Sequence, residues 1–339
     1  MGLKASLFKR KEVHIGLRAG AAVAALLFAY LVYAWSAGLN TSDKIYTVKP
    51  GTTLKSFVRE LYKDGVLPDR YSIIWLSYLR GQHRSLKVGE YRFATGVSAI
   101  ELLNIVTSGR SIQYPLLIPE GWNFREVMQA LNSAEKLEHT LKDVSPDMVM
   151  ARLGKNNLHP EGRFYPDTYY YTAGTPDLVL LQQAFKRMEQ RLASEWDQRE
   201  EGLPYKTPYE ALIMASIVEK ETGVPEERPQ IAGVFINRLR AGMRLQTDPT
   251  VIYGIGESFD GNLRRRDLRQ DTPYNTYTRK GLPPTPIAMP GGDAIHAALH
   301  PAKTEHLYFV SRGDGSHHFS TTLKEHQEAV VRYQLGGKK

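Results

Sequence analysis

A chain of 339 residues that is 42% hydrophobic and 24% charged is long enough for two domains, and too apolar for disorder to dominate it. It contains no cysteine, which excludes a cysteine nucleophile and a thiolate metal site. Lys4, Lys9, Arg10, Lys11 and Arg18, opposed only by Glu12, place +4 of the net +8 in the first 18 residues, so the remainder is mildly basic; that argues against nucleic acid and suits an anionic polymer.

Ala19 to Gly38 runs 20 residues without a charge, a length that spans about 30 Å of hydrocarbon as a helix. It predicts one transmembrane helix over 19–38, with Tyr30, Tyr33 and Trp35 as an interfacial belt. The run is longer than the core of a usual signal peptide, although Ala34-Trp35-Ser36-Ala37 leaves a cleavage reading open. The basic segment 1–18 predicts a cytoplasmic N-terminus and residues 40–339 outside.

A compact α+β module follows over 45–110. Ile45 to Lys49 alternates as a strand, and Thr52 or Thr53 caps a helix with Leu54, Phe57, Val58 and Leu61 on one face. A second helix after Pro68-Asp69 turns Ile73, Leu76 and Leu79 inward. Leu86 to Phe93 predicts a strand, and Ser98 with Glu101 a capping box for a helix closing at Gly109.

A larger mixed α/β domain occupies 114–335, so the chain as a whole is expected in the α+β class behind its anchor. Its elements are a strand at 115–118, a helix capped by Asn123 and Glu126, a helix from Pro176-Asp177 to about Trp196, and a helix over 229–241. Residues 135–160 are undecided. Residues 271–293 form a Pro/Gly-rich loop too long for a mere connector. A hairpin (307–310 and 317–321) and a helix capped by Thr322 and Glu325 complete it.

The most informative helix spans about 208–222. Thr207 with Glu210 and Pro208 start it, Gly223 and Pro225 stop it, and Ala211 to Val218 carry only Ser216 as a polar residue. Glu219 falls in the last turn of this core helix, where burial and the negative helix end would both raise its pKa. A carboxyl that is protonated near neutral pH can serve as a proton donor. The bland alternative is an ion pair with Arg238 or Arg244, which would lower its pKa. Glu221, about 200° around the helix, faces elsewhere and is expected to be solvated or ion-paired. Asp248 before Pro249 suits an N-cap, with Gln246 and Thr247 exposed ahead of it. The loop Pro273 to Ile287, carrying Asn275 and Tyr277, offers the amide, hydroxyl and aromatic groups that sugars need. His296 and His300 have the i, i+4 spacing of a shared metal, but no third ligand is evident and packing is the preferred role.

At these residues the chain closely resembles the MltG-like (YceG-like) family of membrane-anchored endolytic murein transglycosylases. The matching runs are ASIVEKET (215–222), NRL (237–239), LQTDPTVIYG (245–254), YNTY and GLPP within 274–284, HPAKT (300–304) and the EG...PDT segment (161–168). The resemblance implies that 45–110 is LysM-like, that 114–335 is catalytic, and that Glu219 is the catalytic glutamate, with Gln246, Asp248, Asn275 and Tyr277 holding sugar. It implies cleavage of the MurNAc–GlcNAc bond within nascent strands to leave 1,6-anhydro ends and stop elongation, without cofactor or metal. It also implies a place in the inner membrane with the catalytic part in the periplasm, and proximity to peptidoglycan synthases such as penicillin-binding proteins. Two other readings stand beside it: a muramidase using water with Asp248 as second carboxylate, and a glycan-binding envelope scaffold without catalysis.

Overall fold

The computed structural model describes residues 2–41 and 43–336, with side chains from Ile15 onward; the side chains of Lys4, Lys9, Arg10, Lys11 and Glu12 lie outside the described residues. The chain divides into two compact units, Met1–Tyr114 with Thr172–Gly174, and Pro115–Tyr171 with Thr175–Lys339.

The first unit opens with α1 (Gly2–Ser36), of which Ile15–Ser36 is long and apolar enough to cross a membrane. β1 (Ile45–Val48), α2 (Leu54–Lys63), α3 (Ser72–Leu79), β2 (Gly89–Arg92) and α4 (Ala99–Ser108) follow, and β1 pairs antiparallel with β2 in the register Ile45–Arg92 to Val48–Gly89. The helices form where their caps predict. Thr53 and Ser56 exchange a full capping box, and Gly109 closes α4 at φ 80°, in the left-handed region that glycine enters without steric cost. Leu54, Phe57, Val58, Leu61, Ile73 and Leu76 fill a core under the two-stranded sheet. Leu79 does not: it is 70% exposed, because α3 ends there and leaves it off the buried stripe. The strand expected over 86–93 is confined to 89–92.

In the second unit β3 (Tyr114–Ile118) leads into α5 (Phe124–Ser133), capped reciprocally by Asn123 and Glu126. The undecided region resolves into β4 (Leu137–Glu138) and α6 (Pro146–Arg152), followed by β5 (Asp167–Tyr171) and β6 (Thr175–Pro176). β3 pairs with β5, and β4 runs parallel to β6. Helices then dominate: α7 (Asp177–Asp197), α8 (Pro208–Glu221), α9 (Arg228–Arg240), α10 (Asp248–Ile255), α11 (Arg265–Arg269) and α12 (Gly292–Leu299). The hairpin of β7 (Tyr308–Ser311) and β8 (His317–Ser320) and the helix α13 (Leu323–Tyr333) complete the unit.

α8 is the axis of this unit. Every residue from Ala211 to Val218 is buried, in a core built with α9 and α12. Burial all round removes any solvent face, so packing and not amphipathic patterning fixes the helix. Thr207 accepts the Glu210 N–H as expected, but the Glu210 carboxylate turns to the Lys206 N–H, leaving half a capping box.

Candidate active site

The lone polar residue inside α8 explains how the site is assembled. The Ser216 hydroxyl donates to the Ile213 carbonyl and accepts the Ile287 N–H at 3.0 Å, which pins the Pro/Gly-rich loop along the helix. Two residues on, Met289 exchanges backbone hydrogen bonds with Gly121 and Trp122. The loop therefore reaches Gly291 beside Glu219, one turn beyond Ser216 on the same face of α8. There the Gly291 N–H, at the start of α12, donates to Glu219 Oε2 at 2.9 Å.

Glu219 is nearly withdrawn from water, its side chain 7% exposed. Arg228 Nη2 stands 3.6 Å from its Oε1, and the same guanidinium lies 3.9 Å from Glu120 and 3.4 Å from Asp293. The arginines named in the ion-pair alternative are not the ones beside Glu219. Arg238 gives its guanidinium to the Leu307 and Leu245 carbonyls, Arg244 is exposed, and the cation beside Glu219 is Arg228. Its charge is divided among three carboxylates. Burial raises the Glu219 pKa, and Glu120 and Asp293 push the same way against the Gly291 N–H and Arg228. Oε1 accepts no hydrogen bond among the described residues, so one carboxyl oxygen remains for a ligand.

Glu221 emerges on the other side of α8, where among the described residues it is hydrogen-bonded and not, as expected, solvated or ion-paired. Its Oε1 accepts the Thr247 hydroxyl, and burial pushes its pKa up to about 7. Thr247, itself buried, takes the cap position of α10, so Asp248 is the first helical residue and not the N-cap. Asp248 accepts the Tyr277 hydroxyl at 2.5 Å and adds negative charge beside Glu221. Gln246 is exposed and sits at φ 51°, a left-handed conformation that a non-glycine residue adopts only under local constraint. Asn275 differs from expectation. It is 1% exposed, and its amide donates to the carbonyls of Asp267, Leu268 and Gln270 while its oxygen accepts the Tyr277 N–H. It folds the loop and has no free face for a sugar.

Beside the end of α8 lies a cleft of ≈ 830 Å³ lined by Gly121, Lys220, Glu161, Pro249, Tyr253 and Tyr274, among others. Glu219 is not a lining residue, but its Cγ lies next to Gly121, about 4.0 Å from where a side chain there would begin. Glu161, 3% exposed, accepts the Phe124 N–H and the Tyr253 hydroxyl, and burial pushes its pKa up to about 7. Arg228, Glu120, Gly291 and the part played by Glu161 are absent from the reading of the sequence. The Pro119-Glu-Gly121 turn and the EG...PDT segment were the available signals, but neither says what lies near Glu219.

These residues sit in a chain that matches the YceG-like family over residues 46–332. The protein belongs to the YceG-like family. It is 32% identical to an endolytic murein transglycosylase of Bacillus subtilis, across 84% of this chain and 83% of that protein. A Streptococcus pneumoniae endolytic murein transglycosylase is 26% identical, across 87% of this chain and 60% of the relative. The crystal structure of a yceG-like protein from Listeria monocytogenes superposes with a TM-score of 0.55 at 27% identity, covering 86% of this chain and all of that one. The YceG-like match takes in Glu219 and each of the groups surrounding it.

Proposed function

We propose that this protein is a lytic transglycosylase that cuts peptidoglycan strands internally, with Glu219 acting first as acid and then as base. The observation that carries the reading is a carboxyl with raised pKa and one unspent oxygen, held by Gly291 beside a shared cation. Protonated Glu219 gives its proton to the oxygen linking N-acetylmuramic acid to the next N-acetylglucosamine, and that bond breaks. The carboxylate then takes the proton of the muramyl C6 hydroxyl, whose oxygen bonds to C1 and closes a 1,6-anhydro ring. No water is consumed, so no second carboxylate is required. The helix start at Gly291 and the Arg228 guanidinium favour the anion once it forms.

The exposed Gln246, and Asp248 with Tyr277, are the groups we assign to sugar binding. Ile15–Ser36 is read as an inner-membrane anchor that leaves the catalytic unit in the periplasm. The module at 45–110 is read as a LysM-like glycan contact, and peptidoglycan synthases as neighbours in the same membrane. A hydrolytic muramidase through Asp248 has less support, because Asp248 engages Tyr277 and acts on Glu221, on the far side of α8.

Mass spectrometry of products from purified glycan strands tests the reading. The protein should release anhydro-ended fragments, and Glu219→Gln should release none. Free muramic ends would establish hydrolysis; undiminished release by the variant would remove Glu219 from the reaction.

A further inference from the structure

Away from Glu219, α7 and α12 bring together three side chains of the metal-ligating kind. His296 lies on α12, His300 is its C-terminal cap, and Glu195 is in the last turn of α7, 101 residues before His296. Glu195 Oε2 stands 2.9 Å from His296 Nδ1 and 3.6 Å from His300 Nδ1, and one ligand atom from each residue lies within 4.8 Å of the others. We propose that Glu195, His296 and His300 form a binding site for one divalent transition-metal ion of the zinc type, distinct from the glycan-cleaving groups.

The spacing is the first argument. Ligands about 2.0–2.1 Å from a tetrahedral zinc ion are about 3.4 Å apart, and the two measured separations bracket that value. The hydrogen bonds beyond the three residues are the second. His300 Nε2 lies 2.8 Å from the Gln198 carbonyl, which can only accept, so Nε2 carries a proton and a neutral ring presents its Nδ1 lone pair. Among the described residues that lone pair faces acceptors, the His296 carbonyl at 3.2 Å and Glu195 Oε2. An ion bound there satisfies Nδ1 and the carboxylate together.

Glu195 shows the corresponding arrangement. Its Oε1 is ion-paired with Arg191 Nη2 at 2.9 Å, which orients the carboxylate and leaves Oε2 for the site. Metal-binding histidines and carboxylates are commonly oriented by such outer partners. The Arg191 charge also opposes a dication, so binding should be weaker than at an uncharged three-histidine site. Access is open, since the His296 side chain is 54% exposed and water can complete the coordination. The bound ion would clamp α7 to α12, the helix whose cap residue holds Glu219.

The test uses the untagged full chain in detergent, stripped with chelator and titrated with Zn²⁺ by calorimetry and with Co²⁺ by visible absorption. One ion per chain, a Co²⁺ ligand-field band and a higher unfolding temperature with Zn²⁺ are expected. His296→Ala, an exposed change that should leave the fold intact by circular dichroism, should weaken affinity by at least roughly tenfold, as should Glu195→Gln. Absence of stoichiometric binding, or undiminished affinity in a folded His296→Ala variant, would overturn the proposal.

Discussion

Replacing Glu161 by Gln should stabilise the protein at alkaline pH and leave it nearly unchanged in acid. Burial raises the Glu161 carboxyl from 4.5 to about 7 in the folded chain. Between those values the folded state keeps a proton that the unfolded state has released, so stability is full below about pH 4.5 and falls as pH rises through 7. The gap of about 2.5 units, at about 1.4 kcal/mol each, sets an upper bound of about 3 kcal/mol lost by pH 8. Glutamine keeps an oxygen for the Phe124 N–H and carries no charge to bury. Unfolding midpoints of the two proteins at pH 4.5 and 8, followed by near-ultraviolet circular dichroism, give the difference directly. A difference independent of pH, or largest in acid, would refute the argument. Cleavage should survive in the variant, since Glu161 has both oxygens engaged and is not the proposed proton donor.

Two further outcomes follow from the geometry around α8 and its loop. Arg228→Gln removes the cation beside Glu219 and leaves Glu120 and Asp293 unneutralised, so the alkaline limb of the pH–activity profile should move upward; an unmoved or lowered limb would exclude Glu219 as the acid. Asn275→Ala takes the amide from three loop carbonyls and should cost roughly 2–4 kcal/mol of stability, measured by thermal unfolding; unchanged stability with a raised KM alone would restore a sugar contact at this position.

How much the sequence revealed depended on the range of the interaction. Helix starts were readable because caps act across three residues, as at Thr53, Asn123 and Thr322. The core character of α8 was readable from composition, and its buried middle agrees. Glu219 could be picked out by its place at the end of that helix, but the residue that pairs with it could not. Arg228, Arg238 and Arg244 are equivalent on paper, and only the path of α9 separates them. Asn275 misled for a related reason. An amide in a polar loop looks like a sugar ligand until the backbone folds around it and takes up its hydrogen bonds. Glu195 joins the histidine pair from another helix, a meeting that no local spacing encodes.

The last hairpin contributes no proposed sugar ligand, yet it braces the groups around Glu219. His317 binds Glu227 through both its N–H and its ring, 90 residues back along the chain and immediately before Arg228. The Leu307 carbonyl likewise holds Arg238, which also grips Leu245 at the approach to Gln246. Closing such distant contacts is slow, and on the proposed topology it awaits the appearance of this hairpin on the far side of the membrane. A chain threaded across it N-terminal half first would thus carry Glu219 outside well before its surroundings can form. On the reading proposed above, cutting power arrives only once the hairpin has emerged to brace the residues around Glu219.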